Sequence, residues 1–389
     1  MQTFEYKLKP NKTQAKELDR LLLETKNLYN QALEQLISHY KETGKHLNRF
    51  THDRMWNKQT CPQLPAVLVD TTIDRLHKSF ANFFRRIKAG QKAGFPRFKS
   101  INRWNSFSFR DYKSGGRLVG DRWHLNRKNK IKVFLHRPLV GNPKFTRLVK
   151  RADGYYVQVV CETPETPQKE LDKNKSIGLD LGLRYFVADS NGEKVKAPQF
   201  FRKTEYKRAK KQRQLSRKKK GGVNRGKARK LVAKTHLKIA RQRKDFLHKL
   251  AFKYANNYDY VCMENLAVLG MAKNKYLSKS IYDAGWGLFQ NLLSEKLQKL
   301  GKRLVLVNPR YTSQICSQCG AVVKKSLSQR THYCPECLYV EDRDTNAAKV
   351  IKNLGMVTPF GEDGSTERPM NQEAHEFIRG RMSLTNSFF

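Results

Sequence analysis

The sequence predicts α/β plus all-β and helical parts: an antiparallel β unit with a helical insert, then an α/β unit with a small cysteine-rich element embedded in it. Three observations predict this. Apolar residues recur at a helical period of about 3.6 to near residue 90, then at about 2 between 103 and 163. After a break at residues 164–168 (Pro-Glu-Thr-Pro-Gln), strand and helix patterns alternate. Near the carboxyl end, two Cys-x-x-Cys pairs stand 14 residues apart.

Residues 1–9 alternate Phe4, Tyr6 and Leu8 with polar neighbours, a strand stopped at Pro10. Asn11 and Gln14 have the spacing of a capping box. They open a helix that runs to about Tyr40 on Leu18, Leu21, Leu22, Leu28, Leu33, Leu36 and Ile37. A second helix near 66–89 carries the stripe Val69, Ile73, Leu76, Phe80, Phe83 and Ile87, expected as helix–helix core and ended by Gly90 and Gly94. Strands are expected at 107–109, 130–135 and 155–161, with turns at Ser114-Gly-Gly116 and Asp153-Gly154. Beyond the linker come a strand-hairpin (177–197), basic helices (200–257), a strand (258–263), a helix (283–300), a strand (303–308), the cysteines and a closing helix (344–354). The tail after Gly355 is polar and expected to be mobile.

At 389 residues the chain is long enough for two or three units. Lys and Arg number 78 against 34 Asp and Glu, a net charge of +44, and such self-repulsion calls for a polyanionic partner. The basic residues run through the whole chain instead of lining one amphipathic helix, which disfavours a membrane surface. No apolar run reaches 18 residues and the amino terminus has no signal core, so a cytoplasmic protein is expected. Cys61, Cys161 and Cys262 are scattered singly, the pattern of core thiols and not of a disulfide framework.

Cys316-Ser-Gln-Cys319 and Cys334-Pro-Glu-Cys337 place two thiolates on each of two tight knuckles. Together they complete a tetrahedral four-sulfur shell for Zn²⁺ with no open position, hence a structural ion. A redox pair needs only one such motif, and iron–sulfur sites usually show other spacings. Lys324, Lys325 and Arg330 between the knuckles point to nucleic acid.

Three acids stand out where acids are scarce. Asp180 lies in Ile177-Gly-Leu-Asp-Leu-Gly, Glu264 ends the apolar run Tyr260-Val-Cys-Met-Glu, and Asp344 begins a helix in Asp342-Arg-Asp-Thr-Asn-Ala-Ala. Taken singly, Asp180 reads equally as a turn or ion-paired acid, Glu264 as a surface charge, and Asp344 or Asp342 as an N-cap. Taken together they form a ligand set for Mg²⁺. Hydrolysis of a phosphodiester needs a positioned water, neutralised phosphate charge and a stabilised leaving oxygen, and two ions about 3.5–4 Å apart supply all three.

These segments resemble the TnpB family, transposon-encoded relatives of type V CRISPR effector nucleases. The resemblance runs through Tyr6-Lys-Leu-Lys-Pro-Asn, Gly94-Phe-Pro-Arg-Phe-Lys and Ile177-Gly-Leu-Asp-Leu-Gly. It continues in Met263-Glu-Asn-Leu, Asp283-Ala-Gly-Trp-Gly, Tyr311-Thr-Ser-Gln, the four cysteines and the Asp342 motif. It implies a β-barrel wedge domain (1–9 and 100–168) with a helical recognition insert (10–99). It further implies a RuvC-like nuclease domain of RNase H fold (173–311 and 341–355), an inserted zinc ribbon (312–340) and a mobile tail (356–389). The implied activity is metal-dependent DNA cleavage directed by a guide RNA at a site beside a short duplex motif. The partners are guide RNA, double-stranded target DNA and its displaced single strand, with one chain per ribonucleoprotein and no membrane. In this family the acid before x-Asn-Ala is the ligand, which selects Asp344 over Asp342 and assigns catalysis to Asp180, Glu264 and Asp344. Alternatives are a DNA transposase acting on transposon ends and a non-catalytic RNA-guided repressor.

Between Arg202 and Lys249 there are 21 Lys or Arg and two acids, too one-signed a run for an isolated helix pair. Lys210, Lys211, Arg213, Arg217, Lys218, Lys219, Arg225 and Lys230, around a Gly221-Gly222 break, are expected to grip the phosphates of an RNA–DNA heteroduplex. Arg97, Lys99, Arg103 and Trp104, interleaved with Phe95, Phe98 and Phe107, offer charge and stacking surfaces for RNA, or for the phenylalanines simply core.

Overall fold

Strand β1 (Gln2–Lys9) buries Phe4, Tyr6 and Leu8 and turns its polar residues outward, as period-2 alternation requires. The computed structural model describes residues 1–56, 60–113, 115–164, 170–326 and 328–357. Ser114 of the expected turn, residues 165–168 of the expected linker and the expected tail from 358 on lie outside the described residues. The chain divides into two compact units, Met1–Glu165 and Thr166–Phe389.

In the first unit the Asn11 capping box forms as expected and opens α1 (Lys12–Thr43), which ends on Gly44 at φ +67°. A short helix α2 (Arg49–Met55), which the periodicity does not announce, precedes α3 (Ala66–Lys88). Val69, Ile73, Leu76 and Phe80 of the α3 stripe are buried, but Ile87 is 51% exposed: the last turns of α3 run past the apolar layer. The expected strands appear as β2 (Ser106–Ser108), β5 (Lys130–Phe134) and β7 (Gly154–Glu162). Three more, β3 (Arg117–Val119), β4 (Arg122–His124) and β6 (Asn142–Arg151), went unseen because two are only three residues long and the third is broken by a bulge beside Pro143. The sheet is antiparallel, in the order β2-β6-β7-β1-β5-β4-β3, and one apolar core runs through both the helices and the sheet.

The second unit is built on a five-stranded mixed sheet, ordered β10-β9-β8-β11-β12. A hairpin of β8 (Ser176–Asp180), β9 (Tyr185–Asp189) and β10 (Lys194–Lys196) is antiparallel, and β11 (Tyr260–Glu264) and β12 (Arg303–Val307) join β8 in parallel. The two basic helices α4 (Phe200–Ser216) and α5 (Val223–Asn257) separate at Gly221-Gly222. Short helices α6 (Val268–Met271) and α7 (Ser278–Ala284) lead to α8 (Trp286–Lys299). A small ribbon with β13 (Thr331–Tyr333) and β14 (Val340–Asp342) then runs straight into α9 (Arg343–Val357). Among the described residues no helix is long and apolar enough to cross a membrane.

The two faces of the sheet are sorted by parity. Ile177, Leu179, Val261 and Met263 join the core formed with Leu250 and Tyr254 of α5 and Phe289 and Leu293 of α8. Tyr260, Cys262, Val305 and Val307 pack instead on Val350, Ile351 and Leu354 of α9. Gly178 belongs to the α9 face, and a Cβ there would stand 2.0 Å from the Ala348 carbonyl oxygen and 2.7 Å from the Lys352 nitrogen. At the other end of α9, a Cβ on Gly355 would meet the Cys262 sulfur at 2.5 Å. Helix α9 therefore lies backbone-first on β8, with no side chain between them at Gly178. Because the obstacle is backbone, Gly178→Ala is expected to cost at least about 3 kcal/mol, the upper end of ordinary overpacking. Thermal denaturation at the parent midpoint would refute this seating of α9.

Candidate active site

Asp180 ends β8 two residues after Gly178, and so projects on the same face, toward α9. Glu264 ends β11 two residues after Cys262, again on the α9 side. The parallel register pairs Leu179 with Met263, so Asp180 and Glu264 come level one step later on neighbouring strands, about 4.8 Å apart at the backbone. Asp344 lies in the first turn of α9. The fold thus gathers the three acids at the carboxyl ends of two parallel strands and the amino end of one helix.

Their electrostatics match this arrangement. Burial, then the Glu264 and Asp344 charges, push the Asp180 carboxyl up to about 8. Burial likewise raises Glu264, partly offset by the Thr312 hydroxyl, which donates to Glu264 Oε1 at 2.5 Å. Among the described residues, no hydrogen bond or ion pair engages the Asp180 or Asp344 carboxylate. Carboxylates crowded together away from water are costly, and a cation between them would offset that cost. An all-oxygen donor set of this kind fits Mg²⁺ or a similarly hard divalent ion.

Asp342 is engaged otherwise. Its Oδ1 accepts from the amides of Asp344 at 2.9 Å and Thr345 at 3.1 Å, which caps α9, and its Oδ2 pairs with Lys194 Nζ at 2.6 Å. Burial alone would raise its carboxyl, but Lys194 and the two amides outweigh it and hold the group below the usual range. Both oxygens being occupied, Asp342 serves as the helix cap, whereas the Asp344 carboxylate is left open.

Cys316, Cys319, Cys334 and Cys337 converge, their sulfurs all within 4.8 Å of one another. The sulfurs of Cys316 and Cys337 lie 3.7 Å apart and those of Cys319 and Cys334 3.5 Å. A tetrahedron with bonds of about 2.3 Å to a central ion has edges of about 3.8 Å, so the four donors fit a single metal. Among the described residues, this is the one group of three or more such donors all within 4.8 Å of one another. Asn346 of α9 ties the first knuckle to the carboxylate helix, donating to the Ile315 carbonyl at 2.8 Å and accepting from the Ser317 amide at 3.0 Å. Lys325 turns inward to the Ser313 carbonyl at 3.1 Å, whereas Lys324 and Arg330 stay exposed. Cys61, Cys161 and Cys262 are buried free thiols.

The basic helices are rooted by Asp283, buried between α7 and α5, which accepts from the Phe201 amide at 3.1 Å and pairs with Arg243 at 2.7 Å. Lys210, Arg213, Arg217, Lys218, Lys219 and Lys230 are exposed. Lys211 and Arg225 also hold the helix pair itself: Lys211 bonds Thr235 at 2.9 Å, and Arg225 closes the end of α4 on the Leu215 and Lys218 carbonyls at 3.0 and 2.7 Å. In the first unit Arg97 and Arg103 are exposed and Lys99 half-buried, while Trp104 and Phe107 are core. Thr312 and Asn346 sat inside motifs already singled out in the sequence but had no assigned role. Lys194, in a polar hairpin, carried no signal.

Residues 158–275 match a family described as "Probable transposase", and 286–351 match "Cas12f1-like, TNB domain". Residues 1–45 match "Helix-turn-helix domain", although here they form β1 and the single helix α1. A Streptomyces pristinaespiralis protein described as "Putative RNA-guided DNA endonuclease" is 30% identical over 393 residues, covering 98% of this chain and 94% of its own. "Putative RNA-guided DNA endonuclease InsQ" of Escherichia coli K12 is 28% identical over 412 residues, with 97% and 98% covered. The solved structure titled "Cryo-EM structure of the Cas12f1-sgRNA-target DNA complex" shares the fold at a TM-score of 0.59, with 16% identity over 88% of this chain and 83% of that one.

Two outcomes follow from the carboxylates. Asp342→Ala should cost about 1 kcal/mol as a lost cap, and Asp344→Ala should lie within about 0.5 kcal/mol of the parent or above it; urea midpoints in magnesium-free buffer compare them. The folded state holds the Asp180 proton up to about pH 8, while the unfolded chain releases it near the ordinary 3.8. Stability of the magnesium-free protein should therefore fall as pH rises through that window, and Asp180→Asn should flatten the slope. A slope identical in parent and variant would contradict the placement of Asp180.

Proposed function

The chain belongs to the TnpB family, and on that premise we propose that it is an RNA-guided DNA endonuclease that cuts with Asp180, Glu264 and Asp344. The observation that carries the reading is the meeting of these three acids at one end of the sheet, with no hydrogen bond or ion pair on the Asp180 or Asp344 carboxylate among the described residues. The second unit is read as a RuvC-like domain of RNase H fold, and the first as a β-barrel wedge domain with a helical recognition insert. The four cysteines hold zinc in a closed shell, a structural role.

Magnesium bound at the acids would neutralise phosphate charge and activate water, the chemistry that two ions supply in phosphodiester hydrolysis. The residues of the chain do the positioning. Thr312 fixes one oxygen of Glu264, leaving the other to turn into the site. The Asp342 cap orients the first turn of α9 and hence Asp344, and Asn346 couples that turn to the ribbon. The exposed cations of α4 and α5 grip backbone phosphates without reading bases, so sequence choice falls to guide pairing. The displaced target strand is the other single strand such a complex must accommodate.

Purified with its native transcript, the chain should retain a structured RNA, and exchanging the guide end should redirect cutting. Asp180→Ala, Glu264→Ala and Asp344→Ala should each abolish cleavage and leave target binding within about twofold, since none of them touches the phosphate-gripping helices. Cutting that ignores the guide would reject the proposal, and strand transfer of transposon ends without RNA would favour a transposase.

A further inference from the structure

In the first unit, residues 91–105 form neither helix nor strand, yet they are pinned. Asn30 of α1 accepts from the Lys99 amide at 2.8 Å and donates to its carbonyl at 3.0 Å, and Pro96 is buried. Between this segment and α3 lies a cleft of about 530 Å³. Phe95 and Phe98 stand on its wall 49% and 56% exposed, an unusual place for two phenylalanines on a held backbone.

Charge separates this cleft from its neighbour. The adjoining groove of about 470 Å³ contains Asp70 and Asp74, which neutralise Arg49, Lys78 and Arg110 at 2.6–3.3 Å. No Asp or Glu lines the Phe95 cleft, and among the described residues no carboxylate pairs with Arg97, Arg103 or Lys99. Burial first, then the Arg75, Arg103 and Arg97 charges, depress the Lys99 ammonium, which is the crowding that an anion relieves. On the floor the Tyr29 hydroxyl is buried beside the Ser79 hydroxyl, which itself donates to the Arg75 carbonyl at 2.9 Å.

We propose that this cleft seats one unstacked ribonucleotide: its base lies against Phe95 and Phe98, its phosphate among Arg97, Lys99 and Arg103, and the Tyr29 hydroxyl donates to an acceptor of the ribose or base. The inference rests on the RNA-binding reading above and assigns a site within it. The volume suits a single nucleotide and not a duplex. Aromatic stacking with basic neighbours is how single-stranded RNA is held, and the hydroxyl and amide groups of Tyr29 and Asn82 offer partners to the 2′-hydroxyl that DNA lacks.

The test is ultraviolet crosslinking of the ribonucleoprotein purified with its native transcript, followed by digestion and mass spectrometry. The expected result is a single-ribonucleotide adduct on Phe95 or Phe98, and roughly tenfold weaker RNA affinity in the Phe95→Ala, Phe98→Ala double variant. Tyr29→Phe separates binding from folding: RNA affinity falls severalfold while the melting temperature of the RNA-free chain holds or rises. Adducts confined to α4 and α5, or unchanged affinity in the variants, would overturn the cleft and leave the RNA-guided reading standing. Absence of any copurified RNA would overturn both.

Discussion

The close seating of α9 on β8 is the constraint from which the candidate active site follows. A strand and a helix ordinarily meet through two layers of side chains. At Gly178 the strand contributes none, and the helix backbone comes to where a Cβ would be. That contact places the amino end of α9 beside the ends of β8 and β11, and therefore Asp344 beside Asp180 and Glu264. The small residues Ala347 and Ala348 on the buried side of α9 serve the same approach.

Holding three carboxylates at such a place is unfavourable, and the surrounding structure shows how it is sustained. One acid accepts from a buried threonine, another is flanked by a helix amino terminus whose cap is a fourth acid, and that cap is itself paired with Lys194. The cysteine knuckles act at a distance through Asn346, so a closed four-sulfur site stiffens the turn that carries Asp344. The four-cysteine cluster and the carboxylate cluster are thereby linked by one buried carboxamide.

The excess of positive charge is not spread evenly in its use. Where carboxylates stand near, as at Asp70 and Asp74, cations are consumed in the fold. Along α4 and α5 most are left outward, on a helix pair held at its base by Asp283 and Arg243 and at its far end by Arg225. Rigid attachment with exposed outer charge suits a partner that brings its own negative charges at regular spacing.

Local order was legible in the chain alone: the Asn11 capping box, the alternation in β1, the break at Gly221-Gly222, and the Cys-x-x-Cys knuckles all rest on contacts between residues a few positions apart. The three acids could be picked out because acids are scarce in this chain and each sits in or beside a patterned segment: Asp180 within an apolar run, Glu264 at the end of one, and Asp344 at the start of a helix. What needed the tertiary structure were the relations across long separations. That Asp342 caps while Asp344 stays open depends on Lys194, some 150 residues earlier. Likewise, Thr312 reaches Glu264, and Asn346 reaches Ile315 and Ser317, only after folding. Short strands such as β3 and β4 were hidden for a related reason, since three residues carry too little pattern and are held by their neighbours in the sheet. Composition and spacing determined which groups this protein has to work with; the packing of α9 against Gly178 decided which of them face one another.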